Sequence, residues 1–354
     1  MTRTPVGIGL MGCGRIAESV HVPIVTRLTT ARLVAAADTS AERRAWLGRH
    51  VRDVQLHATW ESLLQDRNVE AVIVALPTCF HAEASCAAFT AGKHVYCEKP
   101  IAADFRIVPA VVRSWRGARR LGMVGFNYRF NELYQRLRGQ IAAGRIGNLV
   151  HLRSVFSTTS SAETSWRRAR ASGGGVLLDL AAHHVDLVRF VLGQEVLRVT
   201  ARIRSVRHGD DTAQLDMELE NGLSAQSFFT YGSIEENRIE IFGDRGKLSV
   251  DHYASLDVRM TRARRGHADD VDTIWRSVAT LGRVGFAMRK RRAVLHDPSY
   301  ALAIAHYVSG VRTGRFEGPD ILDGYACAAV IEAAEISARS GRTEDVPVIT
   351  ESTE

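Results

Sequence analysis

VGIGLMGCGRIA, residues 6–17, decides the fold. An apolar run of strand length breaks at glycines, and RIAESVHVPIVTRL (15–28) then carries helical spacing. Gly12, Gly14 and Ala17 fit G-x-G-x-x-G/A directly after the strand and at the opening of the helix. Gly12 permits a tight turn, Gly14 lets the backbone approach a pyrophosphate, and small Ala17 allows close helix–strand packing. Arg15 and Ile16 complete the turn, and the helix N-terminus faces the anion. The confirming partner is an acid at the end of the second strand, ARLVAAAD, and Asp38 stands there. Its carboxylate would accept hydrogen bonds from ribose hydroxyls and repel a 2′-phosphate, so the pattern predicts NAD ahead of NADP. Two readings stay open: Asp38 could simply cap the next helix, and Arg43 or Arg44 could reach a phosphate.

The first 125 residues alternate strand and helix. After ARLVAAAD come the helix TSAERRAWLGRH, the strand VQLH, the helix TWESLLQD, the strand EAVIVAL, the helix HAEASCAAFTAGK and the strand HVYCE. Apolar runs with little alternation mark strands buried on both faces, and their pitch marks βαβ units. The expected class is α/β. Residues 1–125 form a Rossmann dinucleotide-binding domain, and 126–354 form a second α/β domain for substrate binding and oligomerisation. In that second part EVLRVTARIRSVR, TAQLDMELE, LSAQSFFTYG, NRIEIFG and GKLSVDHY alternate and are joined by HGDD, ENG and GDRG turns. They read as an antiparallel meander in an open sheet.

Bulk properties narrow the function. The chain has 354 residues, a formal net charge of +7 and 24% charged residues, with no aromatic-interleaved basic repeat. The basic balance suits an anionic cofactor or plain solubility better than nucleic acid. No run of eighteen apolar residues suggests a membrane span, and the N-terminus lacks a signal-peptide layout. The five cysteines are scattered without a C-x-x-C pair, so neither a metal site nor a disulfide framework is expected. The expected setting is cytoplasmic.

The chain holds only four lysines among 46 basic residues, and Lys99 stands in YCEKP (96–100) at the carboxyl end of a strand. Ligands of open α/β sheets bind outside those ends. Pro100 restricts Glu98 and Lys99 before it and aims both side chains. A lysine there would hydrogen-bond a substrate hydroxyl and stabilise the alkoxide that develops as hydride leaves; a plain surface lysine is the alternative. GGGVLLDLAAHHVDLVRFVLG (173–193) then turns from glycines into a helix. Asp179 and His183, four apart, share one face, where a histidine would take a proton and the aspartate would orient it or touch substrate. His184 and Asp186 remain competing choices.

GIGLMGCGRIA (7–17), LPTCFHAE (76–83), CEKP (97–100), GFNYRFN (125–131) and GGGVLLDLAAHHVD (173–186) occur in one order. That order resembles the glucose–fructose oxidoreductase / inositol dehydrogenase family, Gfo/Idh/MocA, as does HYVSGVRTGR…AAVIEAAEISARSGR (306–342). The resemblance implies an N-terminal Rossmann domain and a C-terminal domain on an open, mainly antiparallel sheet, often used for homodimer or homotetramer contacts. It implies an NAD-dependent oxidoreductase acting on a secondary alcohol of a sugar, sugar nucleotide or cyclitol. A keto-sugar nucleotide reductase and a non-catalytic cofactor sensor are the alternatives. By the same resemblance Lys99 meets substrate and the nicotinamide side, and His183 moves the proton beside Asp179. Asn127 and Arg129 approach the substrate, and His81 lies near the nicotinamide ribose; Glu98 belongs to the same cofactor set. Ala181, where the family often has glycine, and LPTCFH around Thr78 depart from the pattern. So does the arginine-rich segment 258–297, with Trp275 and LGRVGFAM, which reads as a lid, an oligomer arm or a solvated insertion.

Overall fold

A computed structural model describes residues 4–159, 170, 173–207, 209–262 and 283–348. The first half alternates β1 (Val6–Met11), α1 (Val22–Val25), β2 (Ala31–Ala37), α2 (Ala41–His50), β3 (Gln55–His57) and α3 (Trp60–Leu64). It continues with β4 (Ala71–Val74), α4 (His81–Thr90), β5 (His94–Cys97), α5 (Val108–Ala118) and β6 (Gly122–Val124). All six strands are parallel, in the order β3-β2-β1-β4-β5-β6. That is the doubly wound Rossmann order, with a reversal between β1 and β4. Every residue of β1 and β4 is buried, which is why their sequences do not alternate. Helix starts follow local chemistry: the Ser40 hydroxyl caps α2 and the Thr59 hydroxyl caps α3.

The second half holds α6 (Glu132–Ala142), β7 (Leu149–Ser157), α7 (Ala182–Leu192), β8 (Val196–Arg204), β9 (Thr212–Leu219), β10 (Ser224–Thr230) and β11 (Glu236–Gly243). Then come β12 (Gly246–Asp251), β13 (Arg259–Arg262), α8 (Val284–Arg292), α9 (Ser299–Thr313), α10 (Ile321–Ser340) and β14 (Glu344–Asp345). The eight-stranded sheet runs β13-β12-β11-β7-β10-β9-β8-β14. It is mainly antiparallel, and the expected meander needs one correction. β7 enters between β10 and β11 and pairs parallel with β10. Alternation along β9, and along β10 as far as Phe229, buries one face and leaves the other to solvent.

Two cores result. One joins α3, α4 and α5 with β4, β5 and the buried face of the second sheet through α7 and α10. The other lies on the far side of the first sheet, where Leu47 of α2 and Val20 to Val25 meet Ala303, Ile304, Tyr307 and Val308 of α9. The chain therefore returns, late in sequence, to cover its own N-terminal sheet. Tyr307 is fully buried, its ring centroid lies 5.7 Å from that of Tyr96, and its hydroxyl donates to the Val72 carbonyl at 3.2 Å.

The described parts of 258–297 are docked. β13 extends the second sheet, and Phe286 of α8 is buried. Arg283 and Arg289 reach Glu132 on α6, and Arg283 also holds Asp257. Lys290 donates to the carbonyls of His252 and Tyr253 at 2.6 and 2.7 Å. Trp275 falls outside the described residues. No described helix is long and apolar enough to cross a membrane.

Tyr307→Ala should cost about 3–5 kcal/mol in urea unfolding, while Tyr307→Phe, which loses only the hydroxyl bond, should cost about 1 kcal/mol. Equal, small losses from both variants would mean that α9 does not support the first sheet.

Candidate active site

The carboxyl ends of β1, β2, β4, β5 and β6 deliver Gly12, Asp38, Leu76, Glu98 and Gly125 to one edge of the first sheet. Gly12 adopts φ +94°, and a Cβ there would fall 2.5 Å from the Ala75 carbonyl oxygen. Only glycine fits. A Cβ on Gly14 would meet nothing nearer than Arg43 Nη1 at 3.9 Å, which leaves room for an approaching pyrophosphate. The first helix opens with a π turn, Ala17–His21, rather than a regular α turn. Arg15 lies exposed at its mouth, Ile16 is half-buried, and Ala17 is fully buried.

Asp38 serves both of its possible roles. One carboxylate oxygen accepts from the Cys13 N–H at 2.8 Å and the other from the Ser40 N–H at 2.8 Å. It thus ties the glycine turn to the start of α2. A carboxylate has about four acceptor sites, so capacity remains for ribose hydroxyls. Arg44 donates to the Asp38 main-chain oxygen at 2.6 Å, and Arg43 Nη1 stands 3.7 Å from the carboxylate. Burial, with the Asp38 charge, pushes the Cys13 thiol up to about 12, so this cysteine is no nucleophile at neutral pH. These residues fit a bound dinucleotide: the open glycine turn would take its pyrophosphate and the free acceptor sites of Asp38 its adenosine ribose.

Lys99 leaves the first domain and enters the second. Its Nζ donates to the Asp179 main-chain oxygen at 2.6 Å and to Asp179 Oδ1 at 3.2 Å. Asp179 lies in another π turn, Leu177–Ala181, which opens the helix that continues as α7. Such turns concentrate at functional sites, because the widened ring lets a side chain in. The other Asp179 oxygen accepts from the Tyr231 hydroxyl at 3.0 Å. Tyr231 carried no sequence signal: it follows β10 and reaches Asp179 only through the tertiary fold.

His183 stands beside this pair. Burial holds its imidazole well below the ordinary histidine range, and the Lys99 charge lowers it further, against a smaller opposing pull from Asp179. The ring is therefore neutral at pH 7 and able to accept a proton. The rival choices are engaged elsewhere. His184 is fully buried with Nε2 on Asn237 Oδ1 at 2.9 Å, and Asp186 holds Arg129 at 2.6 Å.

Three expected contacts turn inward. The Arg129 guanidinium sits between Asp186 and Asp323, both nearby carboxylates binding it, so its fork faces protein rather than substrate. Asn127 is buried and donates to Ser299 Oγ at 2.8 Å, leaving Oδ1 without a hydrogen-bond partner among the described residues. His81 is buried with one ring nitrogen 2.7 Å from the Pro100 carbonyl and the other 2.8 Å from the Leu76 carbonyl. It fastens the β4 loop to the loop carrying Lys99 instead of reaching a ribose. Glu98 Oε1 lies 3.0 Å from buried His21 Nε2, out of hydrogen-bond alignment.

Residues 6–126 match the model described as "Oxidoreductase family, NAD-binding Rossmann fold" and 134–249 the GFO/IDH/MocA C-terminal domain. The chain belongs to the Gfo/Idh/MocA family. It is 30% identical to inositol 2-dehydrogenase 2 of Saccharopolyspora erythraea, over 96% of this chain and 95% of that one. It is 28% identical to inositol 2-dehydrogenase of Rhizobium meliloti, over 93% and 96%. The fold matches the WlbA dehydrogenase of Bordetella pertussis, solved with NADH and UDP-GlcNAcA, at TM-score 0.83 and 23% identity, covering 99% of this chain and 100% of that one. As a Gfo/Idh/MocA member the chain is an NAD-binding sugar or cyclitol oxidoreductase acting on CH–OH groups.

NADH should bind more tightly than NADPH, and Asp38→Ala should narrow that gap by roughly tenfold, read by fluorescence titration. A preference for NADPH in the parent protein would transfer the decisive contact to Arg43. Buried neutral histidines also set a pH limb. His184 falls from 6.5 to about 4 through burial, offset in part by the Asn237 hydrogen bond. A depressed folded value gives stability that is intact above pH 6.5 and lost as pH falls toward 4, about 3 kcal/mol from this ring alone. Unfolding free energies between pH 7.5 and 4 should show that decline.

Proposed function

We propose that the chain is an NAD-dependent dehydrogenase that oxidises a secondary alcohol of a cyclitol or related sugar, with Lys99, Asp179 and His183 as its acting residues. The observation that carries this reading is the Lys99–Asp179 contact, which brings two sequence motifs eighty positions apart to one place beside a neutral histidine. The named activities of the inositol dehydrogenase relatives support a polyol ring as substrate.

The roles follow from charge. Bound NAD supplies the hydride acceptor for the carbinol carbon. Neutral His183 takes the hydroxyl proton, so the alcohol loses a hydride and a proton and becomes a ketone. The Lys99 ammonium offers N–H donors to the oxygen as negative charge develops on it. Asp179 keeps that ammonium aimed, and Tyr231 keeps Asp179 aimed. Arg129 and His81 act as positioning residues: one anchors α7 to α10 through Asp186 and Asp323, the other fixes the Lys99 loop. All five cysteines are unpaired, which supports a reducing cytoplasmic setting. The solvent-facing side of the second sheet is the surface we assign to self-association.

A second reading, reduction of a keto-sugar nucleotide, draws on the UDP-GlcNAcA complex of the Bordetella pertussis dehydrogenase. The test is a panel of inositols, free sugars and UDP-sugars with NAD, followed by NADH absorbance. The first reading expects turnover on a cyclitol or free sugar. In the variant arm, Lys99→Met should lower kcat about 10²–10³-fold and His183→Gln about 10²–10⁴-fold, with the Kd for NADH within a few-fold of the parent. Turnover confined to UDP-sugars selects the second reading. Tight NADH binding with no hydride exchange on any compound points to a sensor.

A further inference from the structure

In a histidine base, the second ring nitrogen normally donates to a fixed acceptor that sets the tautomer and the ring's rotation. His183 lacks that device: its Nδ1 is buried and makes no hydrogen bond among the described residues. The Asp179 oxygens, which the sequence suggested for the task, meet Lys99 and Tyr231. Something else must hold the ring.

A column of aromatic rings does so. The His183 imidazole lies flat on Tyr128, with centroids 4.4 Å apart and planes 19° from parallel. The opposite face of Tyr128 carries His252, at 4.5 Å and 27°. Tyr134 flanks this pair from the side, 5.8 Å from His252 at 20° and 5.6 Å from Tyr128 at 33°. Four separate parts of the chain contribute: the turn before α6, α6 itself, α7 and the segment after β12.

Tyr128 and His252 are each pinned at the edge. Asn237 Nδ2 donates to the Tyr128 hydroxyl at 2.8 Å, and its oxygen faces His184 Nε2 at 2.9 Å. His252 Nε2 stands 3.4 Å from Asp297 Oδ2. Asp297 in turn accepts from the Ser299 N–H at 3.0 Å and from the Asn127 and Asn131 side chains at 3.3 Å each. Lys290 grips the carbonyl of His252. A flat ring on a pinned flat ring can slide a little but cannot tilt without losing that face contact.

We propose that Tyr128 and His252, the latter anchored by Asp297, are positioning residues that fix the orientation of the His183 imidazole by stacking. The proposal rests on His183 as the proton acceptor. His252 also faces His183 electrostatically through Tyr128. The charged or titratable neighbours that bear on His183 are Lys99, Asp179, His184 and His252, while Asp297, Tyr134, Tyr253 and Lys290 surround His252. Positive charge on His252 lowers the His183 proton affinity, so its removal should move the acid limb of activity to higher pH.

The test uses the full-length protein with ¹³C-labelled histidine, read by NMR and by steady-state kinetics on the best alcohol of the panel. In the parent, the His183 ring protons should be displaced upfield by the Tyr128 ring current. Tyr128→Phe should keep that displacement and keep kcat within about threefold. Tyr128→Leu should lose it and lower kcat 10- to 100-fold, with KM and the Kd for NADH within threefold. His252→Phe should retain the stack and shift the acid limb of log kcat/KM, and the His183 titration, to higher pH. A His183 signal without ring-current displacement, or Tyr128→Leu with parental kcat, overturns the proposal while leaving the His183 role intact. Parental turnover in His183→Gln overturns the role and the proposal together.

Discussion

The ammonium of Lys99 is the interaction on which the site depends. It starts at the end of a strand in one domain and finishes on a main-chain oxygen and a carboxylate in the other. A point charge with three donors suits that task, whereas a planar guanidinium would demand a wider, bidentate partner. Much of the neighbouring structure keeps this reach constant. His81 fixes the loop behind Lys99, the π turn presents the Asp179 carbonyl, and Tyr231 braces the Asp179 carboxylate. Behind them Arg129 joins α7 to the first turn of α10, where Asp320 and Asp323 cap each other.

The same charge prepares its neighbour. An ammonium near a buried imidazole disfavours a second positive charge, and burial acts in the same direction. The result is a cationic hydrogen-bond donor beside an imidazole held neutral at the expense of its proton affinity. A carboxylate placed on His183 instead would have raised its proton affinity and weakened that contrast. Here Asp179 compensates the lysine more than the histidine.

The first sheet was legible because its information is local. Buried parallel strands read as apolar runs, and the turn at Gly12 and the acid at Asp38 sit at fixed distances from them. β7 escaped that reading. LVHLRSVFS alternates well enough, but its place is set by a parallel partner at Ser224–Thr230, far along the chain. The site divides in the same way. Lys99, Asp179 and His183 stand in motifs, yet nothing local shows that Lys99 meets Asp179 or that Tyr128 lies under His183. Tyr231, His252 and Asp297 had no motif at all, since their roles exist only through space. Arg129, Asn127 and His81 stood in motif positions and still face inward, because a sequence pattern marks a neighbourhood and not the direction of a side chain.

Each of the four lysines holds something. Lys93 takes the carbonyls of Asp66 and Val69, Lys247 takes Glu240, Lys290 grips the turn at His252, and Lys99 spans the domains. All the other basic residues are arginines, which leaves few side-chain amines for chemical reagents to find. Acetylation or random amine coupling would therefore break internal contacts of this protein rather than label its surface.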